Sequence, residues 1–202
     1  MTRKRFWADP YQTELATRVS RVDGERVWLE ETIFYAFSGG QESDSGRIAG
    51  HLVRLAEKQG MDIVYTLDAD HGLRAGDAVA VEIDWPRRYR LMRLHFAAEL
   101  VLEVICQQME DAEKIGAHIA EDKARIDFAL DLPITPLLAD IAAAAQRLID
   151  DDQPIVSAFS DQAAGRRYWE LPGFARVPCG GTHLKRRNIG KGKERVEIYL
   201  LD

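Results

Sequence analysis

Two pairs of metal-ligating side chains, His95 with Glu99 and Cys179 with His183, stand four residues apart within each pair and far apart in the chain. If all four grip one ion, a segment near residue 95 and a segment near residue 180 must meet, and that closure excludes most ways of folding the residues between them. The run Arg93-Leu94-His95-Phe96-Ala97-Ala98-Glu99-Leu100 puts Leu94, Ala97, Ala98 and Val101 at helical spacing. In such a helix positions four apart stack, so His95 and Glu99 project together. In Cys179-Gly180-Gly181-Thr182-His183 the glycines let the backbone bend closely around an ion held by thiolate and imidazole. Nitrogen, oxygen and sulfur donors together suit zinc (Zn2+), whereas magnesium or calcium calls for oxygen alone.

A further loop accompanies these pairs: Thr32-Ile33-Phe34-Tyr35-Ala36-Phe37-Ser38-Gly39-Gly40-Gln41-Glu42-Ser43-Asp44-Ser45-Gly46, an apolar run that breaks into glycines flanked by short polar side chains. Together with Met92-Arg93-Leu94-His95 and the Cys-Gly-Gly-Thr-His segment, it resembles the editing domain of alanyl-tRNA synthetase and its free-standing AlaX-type relatives. That family carries a T-x-F-Y-P-x-G-G-G-Q-x-x-D-x-G loop, an H-x-x-x-H pair and a C-x-x-x-H pair, and nearly the whole chain falls inside the resemblance. The resemblance implies the family fold, a hydrolase that deacylates mischarged tRNA, a tRNA partner and a zinc cofactor. His95, Cys179 and His183 match the family's metal ligands; Thr32, Gly39, Gly40 and Gln41 match positions lining its substrate pocket, with Thr32 and Gln41 placed to act on the substrate.

Three positions depart from the pattern. Ala36 replaces the family proline, Ser38 the first loop glycine, and Glu99 the second histidine of H-x-x-x-H. The last touches the metal and leaves three readings open. Glu99 is an oxygen ligand in a closed set, or it is a general base beside a three-coordinate ion, or it marks a degenerate, metal-free domain. Alanine lacks a hydroxyl, so a pocket that hydrogen-bonds serine leaves its own polar group unpaired when alanine enters. Such a loss gives discrimination of order 10⁴-fold in favourable sites. Serine on tRNA(Ala) is therefore the first expected substrate, with glycine the second. Two other function classes compete: a binding module for tRNA or protein with a decayed site, and a metal-dependent hydrolase of small esters or amides.

The net charge of −6 argues against indiscriminate nucleic-acid binding over the whole surface, so the distribution of bases decides. Arg87, Arg88, Arg90 and Arg93 cluster without an intervening acid, and Lys185, Arg186, Arg187, Lys191, Lys193 and Arg195 follow the Cys/His pair. Both clusters adjoin proposed ligands. Arg87, Arg88, Lys185, Arg186 and Arg187 are the expected tRNA contacts. Cys106 lies in a helical pattern and Cys179 in a glycine loop, so no disulfide is expected and a reducing cytoplasm is the default. No apolar run reaches the length of a membrane span, the first residues lack the apolar core of a signal peptide, and the oligomeric state stays open.

The spacing predicts an α+β chain in two modules. Over residues 1–85, strands at 13–19, 27–29, 32–37, 48–55, 63–67 and 78–83, with an Asp23-Gly24 hairpin turn, suggest a small β-barrel bearing the Gly-Gly-Gln loop. Over residues 86–202, a helix from Trp85-Pro86 to about Met109, strands at 115–119, 124–130, 155–159 and 195–201, and a second helix from Thr135-Pro136 to Asp150 suggest helices on an antiparallel sheet. The short junction implies that the barrel packs on this editing domain, and ligand sites favour such interfaces.

Overall fold

Asp84 ends the strand-rich half by starting a helix. Its carboxylate accepts the Arg87 N–H at 3.0 Å and its carbonyl accepts the Arg88 N–H at 2.9 Å, an N-cap for α1 (Trp85–Gln108), in which Pro86 falls where no N–H is missed. The computed structural model describes residues 1–131, 133–186 and, for the backbone, 195–200. The chain is α+β and divides into two compact units: Met1–Ser38 with Glu42–Tyr89, and Gly39–Gln41 with Arg90–Asp202. The division therefore runs through α1, and the Gly-Gly-Gln residues belong to the second unit.

The first unit is a curled antiparallel sheet of seven strands in the order β6-β5-β9-β2-β3-β8-β7. These are β2 (Glu14–Asp23), β3 (Arg26–Leu29), β5 (Gly46–Ile48), β6 (His51–Leu52), β7 (Leu55–Gln59), β8 (Asp62–Thr66) and β9 (Ala78–Ile83). Strands β1 (Arg3–Lys4) and β4 (Glu31–Thr32) form a separate parallel pair. The two ends of the seven-strand order, β6 and β7, are consecutive in the chain, so one bent stretch pairs with β5 on one side and β8 on the other. β2 bends too, pairing through Arg18 with β9 and from Val19 with β3 across a register shift. β9 alternates exposed and buried residues throughout, and its Val79, Val81 and Ile83 join Val19, Leu29, Phe34, Ile48 and Tyr65 in the core.

The expected strand at 32–37 stops at Thr32. Residues 33–36 are buried, but side chains take their donors: Phe34 N–H bonds Thr32 Oγ1 at 3.0 Å, Tyr35 N–H bonds Asp44 Oδ2 at 2.6 Å, and Phe37 N–H bonds Ser43 Oγ at 2.8 Å. A segment satisfied in this way needs no ladder.

In the second unit β10 (Glu113–Ile119), β11 (Lys123–Ala129) and β15 (Arg195–Leu200) form one sheet, and β12 (Val156–Asp161), β13 (Arg166–Leu171) and β14 (Ala175–Pro178) another. The first is mixed, because β11 and β15 run parallel, which corrects the expectation of a wholly antiparallel sheet. Thr135 does not cap a helix as expected. It opens a 3₁₀ turn, Thr135–Leu137, that leads into α2 (Leu138–Asp150), whose Ile141 and Ala145 are buried. Leu91, Leu94, Ala98 and Ile105 of α1 pack with Ile119, Ile126 and Phe128, while Phe96 meets Trp169 edge-on at 5.7 Å. A helix buried on several sides holds whatever polar residues it carries in a dry setting. No described helix is long and apolar enough to cross a membrane.

Candidate metal centre

His95 and Glu99 sit one turn apart on α1, the histidine 4% exposed and the carboxylate side chain 15% exposed. The Cys-Gly-Gly-Thr-His segment leaves β14 directly, anchored where the Cys179 N–H bonds the Arg167 carbonyl at 2.9 Å, and it ends in buried His183 and Leu184. The four residues converge. Cys179 Sγ lies 3.6 Å from His95 Nε2, Glu99 Oε1 lies 3.4 Å from His95 Nε2, and Glu99 Oε2 lies 3.1 Å from His183 Nε2. The imidazoles stack with centroids 5.1 Å apart, and one ligand atom from each of the four residues falls within 4.8 Å of every other.

These separations fit an ion. A tetrahedron with arms of about 2.0–2.3 Å has edges of about 3.3–3.8 Å. Two nitrogens, a sulfur and a carboxylate oxygen are donors for a borderline-soft divalent metal and a poor set for a hard one. His95 Nδ1 is buried with no hydrogen-bond partner, so the ring is held by packing and by what its Nε2 meets. Gly181 supplies the packing: a Cβ there would stand 2.1 Å from His95 Cε1 and 2.9 Å from Gln41 Oε1.

Electrostatics point the same way. Burial opposes charge on every member, but the Glu99 carboxylate and Cys179 thiolate outweigh it and hold His95 well above its ordinary pKa. His183 is raised against burial by the same two neighbours, Cys179 foremost. Burial likewise opposes the ionised acids, yet His95 and His183 hold Glu99 well below the usual carboxylate range, and His95 leads in lowering Cys179. The Gly181 N–H donates to Cys179 Sγ at 3.4 Å, a further stabiliser of thiolate.

The Gly-Gly-Gln residues enter this unit through its sheet. The Ile119 N–H bonds the Gly40 carbonyl at 2.8 Å, Gln41 bridges Ile119, and Gly40, at φ +88°, lies so close that a Cβ would stand 2.5 Å from the Ala117 carbonyl oxygen. Gln41 is fully buried and both ends of its amide are taken. Its Nε2 donates to Thr182 Oγ1 at 2.9 Å, and its Oε1 accepts the Thr182 N–H at 3.3 Å. Thr182 is thus a part of the site that spacing alone did not single out, as is Arg167, whose buried guanidinium lies within electrostatic reach of Cys179. A pocket of about 20 Å³ adjoins the cluster, lined by Gly39, His95, Ala98, Glu99, Ala117 and Ile119 among others.

Thr32 belongs to the first unit, where its hydroxyl pairs with Tyr65 Oη at 2.6 Å. Arg88, expected to hold tRNA, is fully buried: Nε donates to Asp44 Oδ1 at 2.7 Å, Nη2 to both Asp44 Oδ2 and the Ile33 carbonyl, and Nη1 to the Pro10 carbonyl. A guanidinium so committed cannot meet a phosphate in solvent, so this residue is corrected to a structural one. Arg87 is partly exposed and bonds Glu42 at 2.6 Å. Lys185 is exposed, Arg186 pairs with Asp152 at 3.1 Å, and Arg187 lies outside the described residues, as do Lys191 and Lys193.

No family model matches the chain. It is 31% identical to an alanyl-tRNA editing protein AlaX-M of Methanosarcina barkeri, over 100% of both chains. Against an AlaX-M of Pyrococcus horikoshii it is 29% identical over 99% of this chain and 98% of the other. It is also 34% identical to an alanine–tRNA ligase of Ignicoccus hospitalis, over 98% of this chain but only 26% of that enzyme.

Proposed function

Because this chain belongs to the alanyl-tRNA editing protein family of AlaX type, we propose that it is a trans-editing hydrolase that deacylates mischarged tRNA(Ala), seryl-tRNA(Ala) first and glycyl-tRNA(Ala) second, at a zinc centre. The observation that carries this reading is the convergence of His95, Glu99, Cys179 and His183 beside a small pocket that polar and apolar side chains line together. The same convergence speaks against a decayed site, since drift has no reason to preserve four donors at ligand spacing.

In this reading His95 Nε2, His183 Nε2, Cys179 Sγ and a Glu99 oxygen are the ligands. These residues would hold a zinc ion, which would supply Lewis acidity toward a water molecule or an ester carbonyl on accepting it as an added ligand. The chain's own contribution is geometry and charge. Cys179 stays a thiolate under the Gly181 N–H, and Gln41 fixes Thr182 and so the spacing of Cys179 and His183. Gly39 leaves the pocket wall bare, and the pocket's size favours the smallest aminoacyl groups. Thr32 matches a substrate-pocket position of the family, so Thr32→Val is expected to bring the rates on seryl- and alanyl-tRNA(Ala) closer together. Lys185, Arg186, Arg187 and Arg87 hold tRNA phosphates.

The test is direct. Purified protein is mixed with seryl-, glycyl- and alanyl-tRNA(Ala), with and without a zinc chelator, and the surviving ester is counted. Faster loss of the seryl ester that stops with chelator is expected; survival of every ester at the spontaneous rate overturns the proposal.

A further inference from the structure

One place in the second unit breaks the pattern of its own strand. In regular alternation Ile119, Ala117 and Ile115 would share the buried face of β10, and Lys114 would point the other way. A bulge intervenes: Lys114 pairs with Phe128, yet Gly116 pairs with Asp127, so one residue is extra. Gly116 makes room for it, because a Cβ there would stand 2.6 Å from Asp127 Oδ2. Ile115 is pushed out to 47% exposure.

Lys114 takes the vacated position. Cross-strand partners share a face, and Lys114, Ala117 and Ile119 are partnered by Phe128, Ile126 and Ala124, all buried. The lysine accordingly lines the same pocket as His95, Glu99 and Gly39 while remaining exposed as a residue, which puts its ammonium at the rim. An apolar side chain has been traded for a cation in a pocket lined by two of the metal-ligating residues, His95 and Glu99. Local violations of patterning of this kind gather at functional sites.

We propose that Lys114 is a substrate-binding residue that grips a backbone phosphate of the tRNA acceptor end, next to the nucleotide carrying the ester. The inference rests on the editing reading for the identity of the nucleic acid. Among the charged residues lining the pocket, Glu99 is turned toward the imidazoles, so the rim cation is the group that meets an incoming polyanion. The bulge fixes where it stands: on the face of β10 that lines the pocket beside His95 and Glu99.

Binding tests this apart from catalysis. Uncharged tRNA(Ala) is titrated with the full chain by fluorescence anisotropy over a series of KCl concentrations. Lys114→Ala is expected to make the slope of log K against log salt shallower by about 0.7, the value for one single-strand phosphate contact, which is about fivefold in affinity at ~0.1 M salt. Lys114→Arg restores the slope, which a merely structural role would not do. Lys114→Gln serves as the neutral variant if the alanine protein folds poorly. Wild-type slope and affinity in both neutral variants overturn the proposal, whether or not the protein deacylates. A shallower slope in a wild-type background that hydrolyses no aminoacyl-tRNA leaves the phosphate grip standing and removes the editing reading alone.

Discussion

The molecule buries two groups of charge, one in each unit, and they are built on opposite plans. Around Arg88 and Asp44 every guanidinium nitrogen has an acceptor: the group is shared among both carboxylate oxygens and two backbone carbonyls, and Asp44 also accepts the Tyr35 N–H. Around His95, Glu99, Cys179 and His183 the groups face one another at 3.1 to 3.6 Å, and a buried imidazole nitrogen has no partner at all. Equal burial therefore says little about role. A saturated network is scaffold, whereas lone pairs converging on one point describe the outline of an ion.

The sharpest way to break this distinction is Cys179→Ala. Removing one donor from the converging group should reduce bound zinc from about one per chain to near zero and cut deacylation by more than ~100-fold, while the fold survives. Elemental analysis and single-turnover hydrolysis check it. Unchanged zinc would mean that the ion sits elsewhere.

Arg88→Met should do the reverse. Asp44 would be left buried and uncompensated, at a cost of about 3–5 kcal/mol of stability, with much of it recovered when Asp44→Asn is added. Urea denaturation reads the loss. Protein that remains folded should keep its zinc, and loss of zinc from the folded fraction would contradict the view of Arg88 as scaffold.

Arg88 also shows what a sequence hides. Its neighbours Arg87, Arg90 and Arg93 make a basic cluster on paper, but helical geometry separates them: Arg88 is buried, Arg87 bonds Glu42, and Arg90 bonds Glu121 at 2.9 Å. The His95/Glu99 pair was legible because four-residue spacing survives folding on a helix, the Cys179/His183 pair because so short a glycine loop keeps its ends close, and β9 because its alternation is uninterrupted. β13 and β14 escaped notice because Arg167, a charged residue, occupies a buried position of β13 alongside Trp169 and Leu171. The bulge at Lys114 could not be read because a single extra residue leaves no mark on local composition. Gln41 reads from the sequence as a pocket residue, and spacing says nothing of Thr182, which it meets 141 residues on.

Glu99 tests the metal side of the comparison more finely. As a ligand, Glu99→His should keep zinc and much of the activity, because imidazole offers an equivalent donor at that turn of α1, and Glu99→Gln should weaken zinc binding by about 10–100-fold. As a base, Glu99→Gln would leave zinc in place and slow hydrolysis by roughly 10²–10⁴. Full occupancy with a collapsed rate in both variants would remove Glu99 from the ligand set.

The two forms of the site should also differ in their response to pH. Without metal, the raised histidines contribute stability that is fully present below their ordinary 6.5 and is lost as pH rises through their higher folded values. Glu99, depressed, contributes stability present above its ordinary 4.5 and lost as pH falls toward its lower folded value. The metal-free protein should thus be most stable between these limits. Zinc must displace the imidazole protons, so its affinity should climb by about tenfold per pH unit for each proton released as pH rises toward the histidines' raised folded values, and level off above them. Chelator competition at stepped pH measures it, and a flat profile would show that the donors carry no protons to lose.

The smallest effect expected is at Gln41, and it decides between two roles. Gln41→Ala deletes both bonds to Thr182 and leaves the Thr182 N–H buried without its acceptor, a loss of about 1–3 kcal/mol. If Gln41 acts through Thr182, the segment from Cys179 to His183 loosens, and zinc affinity should fall by up to about tenfold with the choice between seryl- and alanyl-tRNA(Ala) unchanged, since supporting residues of metal ligands have effects of that size. If its amide instead meets the substrate, zinc affinity should hold while KM rises or the serine preference weakens. The observed bonds favour the first outcome: an amide whose nitrogen and oxygen are both spent on one threonine has little left with which to recognise an amino acid.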